Sequence, residues 1–170
     1  TNEYASIPEE MSKVAAHFGK KVLREVKEED LLADLAQVRK EAGDRAVLRA
    51  LHFYADDRRA AEEADALDRK DKEAFLNLVK ESGRSSWELL QNITPAAAVT
   101  HQDMAVALAV AEKALNGKGA CRVHGGGFAG TIQAFVPVED VCKFKKTMET
   151  MLSEGCCHVL SIRPAGGLIL

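Results

Sequence analysis

Residues 121–137 read Cys-Arg-Val-His-Gly-Gly-Gly-Phe-Ala-Gly-Thr-Ile-Gln-Ala-Phe-Val-Pro, with Gly125, Gly127 and Gly130 at a G-x-G-x-x-G spacing and Gly126 between them. The chemistry this spacing suits is the holding of an anion. Without a Cβ the backbone reaches positive φ cheaply, and successive N–H groups can converge on one concavity. A dinucleotide fold needs such glycines between a strand and a helix whose N-terminus faces the pyrophosphate. Here Thr131–Val136 favours a strand, Pro137 bars continuation of a helix, and no acidic residue ends a second strand about twenty positions on. No Gly-Lys-Ser/Thr follows either, so the phosphate loop of the nucleotide triphosphatases is excluded. The residue chemistry leaves two readings open: an anion cradle, or a loose connection between two strands.

The other reactive residue types read more plainly. His124 alternates with Val123 on a strand and reads as a surface or interface residue, although it adjoins the glycines. His101 and Asp103 suit a helix start, and His17 and His52 lie in helical patterns. Arg84, Ser85 and Ser86 read as turn and cap, Trp87 as an anchor in a helix interface, and Lys143, Lys145 and Lys146 as a solvated face. The four cysteines, at 121, 142, 156 and 157, form no C-x-x-C pair and no zinc spacing. Cys156 and Cys157 read as buried thiols at the start of a strand, with a strained vicinal disulfide as the alternative.

These residues need elements to position them. Ser6-Ile7-Pro8-Glu9 predicts a capping box opening a helix that runs to Gly19. Leu31, Leu32, Leu35 and Val38 predict a second helix over 28–42, and Asp44 caps a third of about 25 residues and about 37 Å. A shorter helix over 72–82 stops at Gly83, and 85–92 adds a turn or two before the bend at Thr94-Pro95. Residues 103–116 are apolar on most sides and predict an enclosed helix. Past Gly117 come strand candidates over 120–123 and 131–136, an amphipathic helix over 139–152, and a further strand candidate over 157–162. The fold class is α+β: most of a ferredoxin-like split βαβ unit, its antiparallel sheet covered by helices, preceded by additional helices and lacking a recognisable first strand. We expect a single domain over 1–170, helical to about 100 and αββαβ from 101.

The 170 residues carry a net charge of −3, so no basic footprint points to nucleic acid. No apolar run has membrane-spanning length and no leader is recognisable, from which we expect a cytoplasmic protein with neither membrane nor nucleic-acid partner. The opening Thr1-Asn2-Glu3-Tyr4 lacks an initiator Met and reads as cut from something longer.

The stretch Arg122-Val123-His124-Gly125-Gly126-Gly127-Phe128-Ala129-Gly130 resembles the third signature of the galactokinases, within the GHMP small-molecule kinases, which runs approximately R-M-T-G-G-G-F-G-G. Arg49-Ala50-Leu51-His52-Phe53 with Asp56 to Arg59 is similar to that family's R-A-R-H-V…E-N-E-R helix, and Glu81-Ser82-Gly83-Arg84-Ser85 to its E-S-H-x-S segment. Cys157 to Gly167 resembles its closing strand and glycines, and Glu3-Tyr4-Ala5 its S-E-Y-N segment. The resemblance implies a GHMP-kinase C-terminal domain that contributes to transfer of the ATP γ-phosphoryl, with Mg²⁺, to the anomeric hydroxyl of galactose. It implies that Gly125, Gly126, Gly127 and Gly130 line the phosphate side and that Tyr4 meets the sugar. The family's G-E-H-x-D segment, its P-x-G-x-G-L-S-S-S loop and its catalytic aspartate and arginine are not in this sequence, so no catalytic and no metal-binding residue is assigned here. On that reading the chain alone holds half a site, is inactive, and self-associates through the face its N-terminal lobe would cover. Gly83 for the family's His, Leu90 for a common Tyr and Ala129 for a glycine are departures that bear on sugar identity. Two other classes of function stay open: a non-catalytic ferredoxin-like metabolite-binding regulatory module, and a kinase-like sugar sensor without turnover.

Overall fold

The computed structural model describes residues 2–128 and 130–162. The chain runs through helices α1 (Asn2–His17), α2 (Glu28–Ala33), α3 (Leu35–Ala42), α4 (Asp44–Asp68) and α5 (Lys72–Ser85), a wide π-type turn over Ser86–Leu90, and α6 (Asp103–Leu115). Strands β1 (Ala120–His124) and β2 (Thr131–Phe135) follow, then a 3₁₀ turn at Val138–Asp140 and α7 (Val141–Met151). The α+β class is therefore observed. β1 and β2 pair antiparallel, from Ala120 opposite Phe135 to His124 opposite Thr131, so the glycine segment is the tip of a hairpin.

Two apolar clusters organise these elements. The first gathers Val14 and Ala15 of α1, Leu31, Val38, and Ala46, Val47 and Ala50 of α4. These are the one-face positions of amphipathic helices, which need a neighbour to hide them. The second gathers Ile93, Met104, Leu108, Ala111 and Leu115 with Cys121 and Val123 of β1 and Met148 of α7. Alternate residues of a strand share a face, so Cys121 and Val123 enter this cluster together while Arg122 points the other way.

Several expectations are corrected. Pro8 lies inside α1, which begins four or more residues before it, and Ser6 Oγ donates to Glu3 O (2.7 Å) as an intrahelical contact. Residues 28–42 form two helices, broken at Asp34. The cap residue of α4 is Gly43, and Asp44 pairs with Arg39 (2.7 Å) instead. Gly83 does not stop α5. It lies within the helix, where a Cβ would stand 2.9 Å from Arg122 Cβ and 3.2 Å from Cys121 O. The missing side chain thus lets α5 lie directly on β1. α6 buries one stripe only, with Val106 exposed, and Trp87 is 46% exposed and anchors no core. Residues 157–162 form no strand: a strand exists through its ladder, and no described residue pairs with them. Cys156 is accordingly exposed and Cys157 only half-buried, and neither is in a disulfide. The closing Gly166-Gly167 lies outside the described residues. Among those described, no helix is long and apolar enough to cross a membrane.

Candidate functional site: the glycine hairpin and its supports

The hairpin tip turns through left-handed backbone at Gly125 (φ 70°), Gly127 (φ 81°) and Phe128 (φ 56°), with Gly130 at φ 129°. It rests on two supports from distant parts of the chain. Asn92, 1% exposed, follows the wide turn; its carbonyl accepts the Phe128 N–H (2.6 Å) and its Nδ2 donates to Gly126 O (3.3 Å). Tyr4 of α1 donates its hydroxyl to Gly127 O (2.6 Å) and sets its ring edge-on to Phe128, with centroids 5.6 Å apart.

The glycines differ in what they permit. At Gly126 a Cβ would fall 2.2 Å from the Tyr4 ring, and at Gly127 it would fall 1.9 Å from Asn92 O. At Gly125 and Gly130 it would meet nothing within 4 Å. Gly126 and Gly127 therefore seat the loop on its supports, whereas Gly125 and Gly130 face open space. A trans peptide carries its N–H opposite its C=O. Docking the Gly126 carbonyl onto Asn92 thus aims the Gly127 N–H away from Asn92. The Phe128 amide is spent on Asn92, which leaves those of Gly125, Gly126 and Gly127 as the candidates for an anion.

Asn92 was not singled out from sequence. Its one legible cue is that Asn suits an irregular stretch, as between the Ser86–Leu90 turn and Thr94-Pro95. Its Oδ1 is buried without a partner among the described residues, a place where an ordered water is physically expected.

Behind the hairpin, three of the quoted motifs converge on one polar junction. Arg122, on the far face of β1, donates from Nη1 to Ser82 Oγ (2.5 Å), with Nη2 at 3.5 Å from Ser86 Oγ. Ser82 in turn donates to Asp56 Oδ1 (2.6 Å), which also accepts from Arg59 (2.8 Å). His52 shares a hydrogen bond with Ser85 Oγ (2.9 Å) and stands 3.7 Å from Asp56 Oδ2. Burial holds His52 below its ordinary value, with the positive Arg59 and Arg122 acting in the same direction and Asp56 opposing. Burial likewise raises the Glu63 carboxyl against the pull of Arg122. Ser85 and Ser86 do stand at the cap positions between α5 and the wide turn, as expected, but their buried side chains serve as joints between α4, α5 and β1. Arg122 is committed to this junction and so is no cation at the loop's open side.

A second buried charge braces the Tyr4 side. Arg49, fully buried, donates from Nε to Leu90 O (3.1 Å) and from Nη1 to Ser6 Oγ and Glu10 Oε2 (2.9 Å each). Glu10 also accepts from Arg45. Burial alone would raise the Glu10 carboxyl, but Arg45 and Arg49 together hold it below its ordinary range. α1, α4 and the wide turn are thus tied at one point, which fixes where Tyr4 and Asn92 stand.

Of the remaining histidines, His124 is exposed at the end of β1, and His17 bridges Glu41 (2.7 Å) and Asp34 (2.8 Å). Lys145 pairs with Glu149 on α7. Among the described residues no three His, Cys, Asp or Glu gather into a metal-sized cluster.

No family model matches the chain. Curated proteins do. The chain is 30% identical to the galactokinase of Glaesserella parasuis serovar 5 over 146 residues, which is 86% of this chain and 36% of that protein. It is 28% identical to the galactokinase of Mannheimia succiniciproducens over 146 residues, again 86% and 36%, and 30% identical to that of Actinobacillus pleuropneumoniae serotype 3 over 141 residues, 83% and 35%. The likeness to galactokinases read from the motifs therefore extends along most of the chain. The chain spans about a third of the length of the curated relatives it matches.

Proposed function

We propose that this chain is the C-terminal portion of a galactokinase-type sugar kinase, in a GHMP-kinase C-terminal domain of ferredoxin-like type, working in the cytoplasm. The observation that supports it is the likeness to galactokinases over more than four-fifths of the chain. In this reading the parent protein phosphorylates galactose or a related sugar at the anomeric hydroxyl. ATP supplies the phosphoryl group, and Mg²⁺ neutralises charge on it during transfer. Mg²⁺ finds no ligand cluster among the described residues of this chain, so none of its ligands is assigned here.

The chain's own contribution is positional and electrostatic. The amides of Gly125, Gly126 and Gly127 offer donors to phosphate oxygens, and Gly130 keeps the far side of the loop open. Preorganised donors stabilise developing charge without reorganising during the reaction, so the supports matter as much as the glycines. Tyr4 meets the sugar, and its bond to Gly127 O would couple the sugar side of the site to the phosphate side. The catalytic aspartate and its partner arginine belong to the N-terminal lobe, which is also the partner surface of this chain.

The test compares the 170-residue chain with the full reading frame containing it. The full protein turns over galactose and Mg-ATP in a coupled assay, while the chain alone shows neither turnover nor micromolar ATP binding by calorimetry. Micromolar ATP binding by the chain alone would overturn the half-site reading, and failure of the full protein to phosphorylate any hexose would overturn the kinase. Val159, Leu160 and Ile162 are 70%, 87% and 87% exposed, so the chain alone is also expected to self-associate. A clean monomer at high concentration in the ultracentrifuge would contradict this.

A further inference from the structure

Cys156 and Cys157 follow α7 as free thiols whose sulfurs stand 3.9 Å apart. Cys156 is exposed; Cys157 is half-buried and packs against the second apolar cluster. Adjacent Cα atoms lie about 3.8 Å apart across a trans peptide, short of the roughly 4.4–6.8 Å that a disulfide spans. Oxidative closure of this pair is therefore strained, and the dithiol is its resting form. Two sulfurs about 2.3 Å from one pyramidal trivalent centre, roughly 95–100° apart, by contrast stand about 3.5 Å from each other. The observed 3.9 Å gap is a small side-chain rotation away from that bite.

We propose that Cys156 and Cys157 form a two-sulfur binding site for a trivalent organoarsenical. Softness and ligand count select this class. Paired sulfurs favour a soft acceptor. A structural zinc ion would need four ligands, and no third His, Cys, Asp or Glu joins the pair in a metal-sized cluster among the described residues. Glu149, whose charge acts on Cys157, accepts from the Gly155 N–H (3.2 Å) and faces Lys145 (3.6 Å). An organoarsenical brings its own third substituent and asks the protein for two sulfurs only.

The protonation state fits as well. Burial, followed by the contact with Cys156 and the charge of Glu149, pushes the Cys157 thiol up to about 11, so Cys157 meets the reagent as a neutral thiol. With an arsenoso compound two As–S bonds form and the As=O bond breaks. The oxygen leaves as water carrying both thiol protons, and arsenic stays trivalent throughout. Cys121 is buried in the core and Cys142 is exposed on α7.

Phenylarsine oxide on the 170-residue chain tests the site by native intact-mass measurement. One phenylarsenic per chain is expected, resisting excess monothiol and removed by 2,3-dimercaptopropanol. Cys157→Ser disturbs a packed residue, so the deciding variant is Cys156→Ser, whose side chain is exposed and whose unfolding curve should match the parent. It should weaken binding about a hundredfold or more through loss of the second, intramolecular sulfur. Cys142→Ser should leave binding unchanged. Undiminished binding in Cys156→Ser, or equal loss in Cys142→Ser, would overturn the assignment.

Discussion

The helical region α1–α5 and the hairpin region α6–β1–β2–α7 hide their interiors by different means. The first places charge inside it: Arg49 is fully buried against Glu10, and His52, Asp56, Ser82 and Ser85 form a polar joint between its helices. The second fills its interior with apolar side chains, yet leaves Val159, Leu160 and Ile162 in solvent. A buried charge is costly unless partnered, and Arg49 is partnered through Nε and Nη1, with Nη2 left without a hydrogen bond among the described residues. The helical region is therefore specified in detail by its own sequence, whereas the hairpin region is built with apolar positions to spare. The glycine loop belongs to the second and takes its position from the first, through Tyr4 and Asn92.

Substitutions can sharpen or break this contrast, and the largest effect should come from the buried charge. Arg49→Ala leaves Glu10 with Arg45 alone and takes the Arg49 donor from Leu90 O and Ser6 Oγ, at a cost of about 3–5 kcal/mol. Urea unfolding would measure it, and a loss below about 1 kcal/mol would mean the ion pair behaves as a surface one. Next comes Gly127→Ala, which meets both a positive φ and the Asn92 carbonyl and should cost about 1–3 kcal/mol. Gly125→Ala is its control: the space is open and only the left-handed backbone is strained, at about 1 kcal/mol. Equal losses in the two would sever the loop from its Asn92 support.

Tyr4→Phe removes the hydroxyl bond to Gly127 and should cost about 1 kcal/mol. On the proposed kinase reading, the same change in the full protein should raise KM for sugar and for ATP together. The last contrast is one of pH. His52 is held below its ordinary value, so the unfolded chain takes up its proton first. Stability tied to neutral His52 is whole above about pH 6.5 and is lost as pH falls from there toward the folded value. His17, raised by its hydrogen bonds to Glu41 and then Asp34, runs the other way. Its contribution is whole below about pH 6.5 and is lost as pH rises through its folded value. His52→Gln should flatten the acid arm of a pH–stability curve and His17→Gln the alkaline arm; one arm responding to both would refute the assignment.

Helical periodicity was legible wherever one face is apolar, as in α4, whose 25 residues were foreseen from Val47, Leu48 and Leu51. The hairpin was legible because Pro137 and β-branched residues ruled out a helix after the glycines. Gly83 misled, since a glycine that ends a helix and one that lets a strand approach are identical in sequence. The strand expected over 157–162 has the right residues but pairs with no strand among the described residues, and pairing is not a local property. The Arg49 and Arg122 junctions could be suspected only as motif fragments. Their meaning as joints depends on residues up to 43 positions apart meeting in space.

Gly83 also has a mechanical consequence. With no side chain at Gly83, α5 lies in direct contact with Cys121 and Arg122, in the strand that leads into the hairpin tip. A side chain introduced at position 83 would have to part helix from strand before the hairpin could keep its seat.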